Sequence, residues 1–336
     1  MKEKERVIAT LAFKNPDRIP RDLWALPYVL LFQKEKLAKI LKDFPIDIEN
    51  PLLSPGSSDE IIKKCAKIGE YTDDWGNVWY INEPGVVGEV KRPFLFDWSR
   101  LNKFKPPYHL IKERNLSRIN KSYNLSTKFV LSDVAARPFE QLQFLRGTQN
   151  LFTDLAYKDT NFFKLLKIVH EFYVENIKNW CKTEVDGIFF MDDWGTQRSL
   201  LINPNTWREL FKPLYKEYCE IIHKANKFVF FHSDGNITEI FGDLVEIGIN
   251  AINSQLFIMD IEGFLSKYKG RITFWGEIDR QHILPFGNSR DVYNAVLRIR
   301  KSLNNGNGGL IAQCEWGKKN PEINIRTVFD TWMVKL

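Results

Sequence analysis

The 336-residue chain has only four cysteines, Cys65, Cys181, Cys219 and Cys314, and no two of them make a CxxC pair. Neither a disulfide framework nor a zinc ribbon is indicated, so any cysteine chemistry has to come from a single thiol. No stretch of about 18 uncharged apolar residues occurs, which excludes an expected membrane span. The leading MKEKERVIATLAFKNPDRIP lacks the apolar run and small-residue cleavage site of a signal peptide, and the expectation is a cytoplasmic protein. A G-x-S-x-G elbow is missing, which leaves a Ser-His-Asp hydrolase unsupported. Internal repeats, low-complexity tracts and Pro/Gly/Ser linkers are missing too, so residues 1–336 are expected to form a single domain.

What is present is ordinary globular composition, 44% hydrophobic and 27% charged, which rules out disorder. The formal charge of +6 arises from Lys and Arg interleaved with acids along helical stretches. That pattern reads as a solvated surface and not as a nucleic-acid stripe, and no nucleic-acid partner is expected. Aromatic content is high at 14%, with 10 Trp, several of them beside polar clusters, which hints at a pocket for a flat ligand.

From Asp186 onward, apolar runs bounded by Gly, Asn or Asp alternate with helical periodicity. Strands are expected at 187–191 (GIFFM), 227–231 (KFVFF), 250–254 (NAINS), 271–275 (RITFW) and 309–313 (GLIAQ). Helices are expected between them near 204–225, 236–247, 260–268 and 288–304, with a last one over 321–335. Such βα units imply a parallel sheet, because parallel strands need crossovers, and the continuous apolar runs fit strands covered on both faces. In the first half, 19–26 and 128–134 read as strands, and 3–13, 28–42, 59–68, 110–122, 139–156 and 160–182 as helices. Segment 71–96 reads as an excursion with a hairpin around Glu83-Pro84-Gly85. Five clear units plus up to three more predict an α/β fold, a (β/α)8 barrel of TIM type with N-terminal helical and hairpin insertions. The rival, a doubly wound open sheet, wants a Gly-rich phosphate turn that is absent.

In a barrel the active site lies at the C-terminal ends of the strands, and polar clusters follow each apolar run there. They are Asp192-Asp193-Trp194-Gly195, His232-Ser233-Asp234-Gly235, Asn253-Ser254-Gln255, Gly276-Glu277-Ile278-Asp279 and Gln313-Cys314-Glu315-Trp316. Any one of them could simply cap the next helix; five sharing one mouth form a ring of acids, amides, an imidazole and a thiol. His232 and Asp234, two apart on an extended segment, project to one side, and Cys314 lies at the same level of the barrel. Imidazole, carboxylate and thiolate make a three-ligand set of the kind catalytic zinc uses, with Glu277 and Glu315 as competing carboxylates. The bland alternative is a buried histidine bonded to a carbonyl and a cysteine acting as a small hydrophobe. Adjacent Asp192 and Asp193 cannot share a face, so one points into the barrel and the other caps a turn. The DDWG at 73–76 and Trp24, Trp194 and Trp316 either wall an apolar pocket or belong to the core; Trp79 and Trp207 read as core, while Trp194 and Trp316 lean to the pocket.

These segments resemble the uroporphyrinogen decarboxylase superfamily, whose fold is a distorted (β/α)8 barrel. The resemblance is carried by RVIATLAFKNPDRIP, DDWGNVW, PFEQLQFLRGTQNLFTDL, DGIFFMDDWGTQRSLLINPNTWRELFKP, KFVFFHSDGNITEIFGDLVEIGINAINSQ, RITFWGEIDRQHILPFG and GGLIAQCEWGKKNPEINI. More narrowly the chain resembles the branch of zinc-dependent corrinoid methyltransferases that act on coenzyme M or related thiols. The true decarboxylase carries an arginine-rich RQAGRY-like segment and a C-terminal NLGHG-like histidine segment. Here PRDLWALPY offers only Arg21, and one arginine cannot hold a substrate of many carboxylates. The methyltransferase branch holds zinc through a His-x-Cys pair and a distal Cys. His232 matches the histidine, Cys314 the distal cysteine, and Asp234 stands where the branch has its middle cysteine, a harder ligand that leaves zinc more Lewis acidic.

The resemblance therefore implies a zinc-dependent methyltransferase with His232, Asp234 and Cys314 as ligands. Asp193, Glu277 and Gln313 would be its catalytic or substrate-orienting residues, and Trp194, Asn253, Gln255 and Trp316 would contact the cofactor. A corrinoid would arrive on a separate protein, since no D-x-H-x-x-G motif is present, and the other partner would be a small-molecule methyl donor or acceptor. The rival functions are a decarboxylase-like lyase working through Asp192 or Asp193 and a non-catalytic barrel that binds a tetrapyrrole or corrinoid. Whether the chain forms a homo-oligomer is left open.

Overall fold

The computed structural model describes residues 1–51 and 58–334. Eight parallel strands form a nearly closed barrel: β1 (Arg21–Ala25), β2 (Ile48–Glu49), β6 (Phe129–Val134), β7 (Gly187–Met191), β8 (Phe228–Ser233), β9 (Ala251–Ser254), β10 (Thr273–Trp275) and β11 (Leu310–Trp316). Their order around the sheet is β1-β11-β10-β9-β8-β7-β6-β2. Between the two ends, the backbone N–H of Asp47 donates to the carbonyl of Arg21 at 2.8 Å, and the Asp47 carbonyl accepts from Phe129 at 2.9 Å. Three further strands, β3 (Gly69–Thr72), β4 (Val78–Ile81) and β5 (Glu89–Arg92), form the expected antiparallel excursion. The Asp73 carboxylate fixes its first turn, accepting from the N–H groups of Trp75 and Asn77 and from the indole of Trp79.

Two apolar cores lie on the two faces of the sheet. Phe129, Leu131, Phe189, Phe230, Ala251, Trp275 and Ile311 fill the barrel, and Val7 and Leu11 of the N-terminal helix Glu3–Leu11 join them. The larger core lies between sheet and helices and takes the alternate residues: Leu23, Val130, Ile188, Phe190, Val229, Phe231, Ile252, Phe274, Ala312 and Cys314. Both faces being apolar is why these strands read as unbroken hydrophobic runs.

Several expected helices are shorter than their periodicity suggested. Gly147, at φ +75°, divides 139–156 into Pro138–Arg146 and Thr148–Tyr157, and Gln33 and Phe211 divide 28–42 and 204–225 in the same way. The segment 260–268 forms only a 3-10 turn, Leu265–Tyr268. Strand β2 was not seen in the sequence because two residues carry no periodicity. Residue 335, the end of the expected last helix, lies outside the described residues. Among the described residues, no helix is long and apolar enough to cross a membrane.

Candidate metal centre at the barrel mouth

Side chains alternate along a strand, and this alternation places every candidate residue. On β7 Phe189 and Met191 point inward, so Asp193 continues into the mouth while Asp192 turns outward. The fully buried Asp192 carboxylate caps the helix Pro138–Arg146, accepting the N–H groups of Phe139 and Glu140 at 2.8 Å each and the Tyr215 hydroxyl at 2.5 Å. Burial pushes its carboxyl well above the usual range. On β8 Phe230 points inward, and His232 and Asp234 follow it at intervals of two.

His232 Nε2 lies 3.6 Å from Asp193 Oδ1 and 3.5 Å from Asp234 Oδ1. These three residues offer ligand atoms all within 4.8 Å of one another, the only such cluster among the described residues. Asp193 Oδ1 also accepts the backbone N–H of Asp234 at 2.9 Å, which ties the two loops together. Asp234 Oδ1 is buried and accepts no hydrogen bond, whereas Oδ2 is held by Arg280. A buried acceptor without a donor costs roughly 1–3 kcal/mol, and a bound cation removes that cost.

Arg280 lies among three carboxylates: Asp234, Glu315 at 2.9 Å and Glu277 at 3.5 Å. On the other side of the mouth Arg137 binds Glu140 at 2.9 Å. Burial raises the carboxyls of Glu277, Glu315 and Glu140 against the lowering effect of these arginines, and Asp234 adds to the rise at Glu277. Five carboxyl groups, Asp193, Asp234, Glu140, Glu277 and Glu315, thus share the mouth with two guanidinium groups.

Beneath the cluster, His232 Nδ1 meets Asn253 Oδ1 at 2.6 Å, and Asn253 Nδ2 donates to Gln313 Oε1 at 3.0 Å. Trp24 forms the inner wall, its ring 5.1 Å from that of His232 and 5.0 Å from that of Trp275. Gln255 is buried at the rim and accepts from Gln197 at 3.1 Å.

Three expectations need correction. Cys314 pairs in register with Leu23, and both face the helices, so the thiol is buried in the outer core and does not join the cluster; Asp193 offers the third possible ligand atom instead. Trp194 is fully buried, stacked on Phe139 at 4.1 Å with its indole N–H on Tyr215. Trp316 is equally buried, its N–H bonded to the carbonyl of Asn320 at 3.1 Å, and neither indole walls the mouth. Trp75 of the DDWG segment packs edge-on against Phe172 at 4.8 Å and also belongs to the core. Arg280, Arg137 and Glu140 were not singled out from the sequence. The only signal was their place just after β10 and β6.

Asp22, inward on β1, accepts the indole N–H of Trp275 at 2.8 Å, yet burial pushes its carboxyl up to about 6. The folded state therefore holds this proton more tightly than the unfolded chain. Between about pH 4 and pH 6 its contribution to stability falls as pH rises, by roughly 3 kcal/mol in all. In Asp22→Asn that slope is expected to vanish. Urea midpoints of parent and variant from pH 4 to 7 check this, and an unchanged slope assigns the pH dependence elsewhere.

A comparison with curated proteins found no match. Among solved structures the chain is similar to a methyltransferase from Methanosarcina mazei, with a TM-score of 0.71 and 13% identity over 99% of this chain and 98% of that one. It is similar more loosely to 3-keto-D-glucoside 4-epimerase from E. coli, with a TM-score of 0.40 and 9% identity over 65% of this chain and 82% of that one. To a D-psicose 3-epimerase the TM-score is 0.38 and the identity 10%, over 70% and 83% of the two chains. The family model for uroporphyrinogen decarboxylase (URO-D) matches residues 85–332, the stretch that includes seven of the eleven strands and the whole cluster at the mouth. The chain belongs to the uroporphyrinogen decarboxylase family.

Proposed function

We propose that the protein is a metal-dependent methyltransferase, moving a methyl group between a corrinoid carried on a separate protein and a thiol or a methoxylated or methylated small molecule. The observation that carries this reading is the convergence of His232 Nε2, Asp193 Oδ1 and the hydrogen-bond-free Asp234 Oδ1 at the barrel mouth. Two carboxylates and an imidazole fit a divalent ion, zinc in this reading, with a position left for substrate. Zinc bound there supplies Lewis acidity toward a substrate sulfur or oxygen. The similarity of fold to a methyltransferase supports the same direction.

The chain's own groups fill the other roles. Arg280 holds Asp234 Oδ2, which leaves Oδ1 for the cation. Glu277, whose carboxyl burial raises above the usual range, is the candidate proton donor for a leaving thiolate or alkoxide. Gln255 at the rim orients the substrate. A small cavity of about 10 Å³ lined by Gln255, Glu277 and Arg280 lies beside the cluster.

Decarboxylation of a polycarboxylate is disfavoured because Arg280 and Arg137 are both engaged by the chain's own carboxylates. The test is metal content by plasma mass spectrometry on parent, His232→Ala, Asp234→Asn and Cys314→Ser. About one ion per chain is expected in the parent and in Cys314→Ser, and none in the other two. Loss in Cys314→Ser would return the thiol to the ligand set. A zinc-loaded parent that exchanges no methyl group with methylcobalamin and a panel of thiols and methyl ethers overturns the activity.

A further inference from the structure

We infer that Asn253 and Gln313 form a positioning relay that keeps the proton of His232 on Nδ1 and so turns its Nε2 lone pair toward Asp193 and Asp234. The inference rests on the metal reading of the mouth and reaches one layer behind the ligands. Asn253 Nδ2 lies 2.5 Å from the carbonyl of Trp275 and 3.0 Å from Gln313 Oε1. A flipped amide would set Oδ1 against these two oxygens, so the nitrogen faces them and Oδ1 faces His232. At 2.6 Å from that acceptor, Nδ1 has to be the donor. A neutral imidazole has one N–H, and with it on Nδ1 the other nitrogen is free to ligate.

The far end of the relay is confined sterically. Gln313 Oε1 rests over Gly276, where a Cβ would come within 2.2 Å of it, so only glycine leaves room for the amide. Asn253 and Gln313 are both 0% exposed, so water cannot take over a lost bond. The rings of Trp24 and His232 lie 5.1 Å apart, which limits rotation of the imidazole. Without the relay, the two carboxylates at Nε2 draw the proton to that nitrogen and block it as a ligand.

The test uses full-length protein and two readouts, long-range 1H–15N spectra of His232 and zinc affinity by competition with a chromophoric chelator. The parent is expected to show a solvent-protected Nδ1 proton. Asn253→Leu loses that proton and binds zinc about 10–100-fold more weakly, the usual effect of removing the partner of a ligating histidine. Gln313→Leu removes only the far acceptor and weakens zinc by a smaller factor, and it carries the test if Asn253→Leu does not fold. Parental zinc affinity and a protected Nδ1 proton in folded Asn253→Leu overturn the relay. A parent with the protected proton that takes up no zinc overturns the metal reading alone and leaves the relay supported.

Discussion

Gly235→Ala is expected to abolish cation binding at the mouth and to lower stability by roughly 2–5 kcal/mol. Gly235 has φ +81°, in the left-handed region, and a Cβ there would lie 2.1 Å from the carbonyl carbon and oxygen of Gly195. Gly195 is hemmed in reciprocally, its own Cβ position 2.4 Å from the Asn236 nitrogen. The loops after β7 and β8 thus touch backbone to backbone. Two hydrogen bonds lock the contact: Gly195 N–H to the Asp234 carbonyl at 3.0 Å and Asn236 N–H to the Thr196 carbonyl at 2.7 Å. A methyl group driven between them separates the loops and carries Asp193 away from His232 and Asp234. Calorimetric zinc titration and urea unfolding measure the two effects. Gly306→Ala is the control: its φ of +85° imposes similar strain, but nothing lies within 4 Å of the new Cβ. That variant loses about 1 kcal/mol and binds zinc like the parent. If Gly235→Ala also binds zinc like the parent, the glycine contact does not set the spacing of the ligands.

The barrel and much of its mouth were legible in the sequence for one physical reason: parallel strands buried on both faces leave long apolar runs, and their C-terminal ends are marked by the first polar residues. His232 and Asp234 were placed together by the two-residue period alone, and the structure keeps them so. What the runs hide is which face is which, because both are apolar. On β11 the order Gln313-Cys314-Glu315 puts the amide and the carboxylate inward and the thiol outward, yet nothing in LIAQCEW distinguishes that register from its opposite. The same ambiguity covers Asp192 and Asp193; Met191 faces the barrel, and that sets Asp193 inward and Asp192 outward. Trp194 and Trp316 misled because each follows a polar residue, although each returns to the outer core on the alternate step. Arg280 was hidden for another reason. Only its contact with Glu277, three residues earlier, is local; those with Asp234 and Glu315 come from two other strand ends, and no local spacing encodes them.

Asp47→Ala is expected to cost roughly 3–5 kcal/mol, enough to threaten the fold, without altering the chemistry of the mouth. The side chain is fully buried at the other end of the barrel. It accepts from Arg6 Nη1 at 2.6 Å, from both Nη atoms of Arg18 at 2.8 and 2.9 Å, and from the backbone N–H of Arg21 at 2.7 Å. These bonds join the N-terminal helix, the segment before β1, and the seam where β1 and β2 meet. Removing the carboxylate leaves the Arg6 guanidinium, only 7% exposed, with Asp17 as its remaining charged partner. It also strips the Arg21 N–H of its acceptor at the one place where the barrel is not closed by a strand ladder. Asp47→Asn, which keeps one oxygen, is expected to lose about half as much. A fall in the urea midpoint graded parent, Asn, Ala, with zinc affinity unchanged in the variants while folded, separates the device that closes the barrel from the one that binds the ion. A midpoint for Asp47→Ala equal to the parent's would show that Asp17 alone satisfies Arg6 and that the seam holds without the carboxylate.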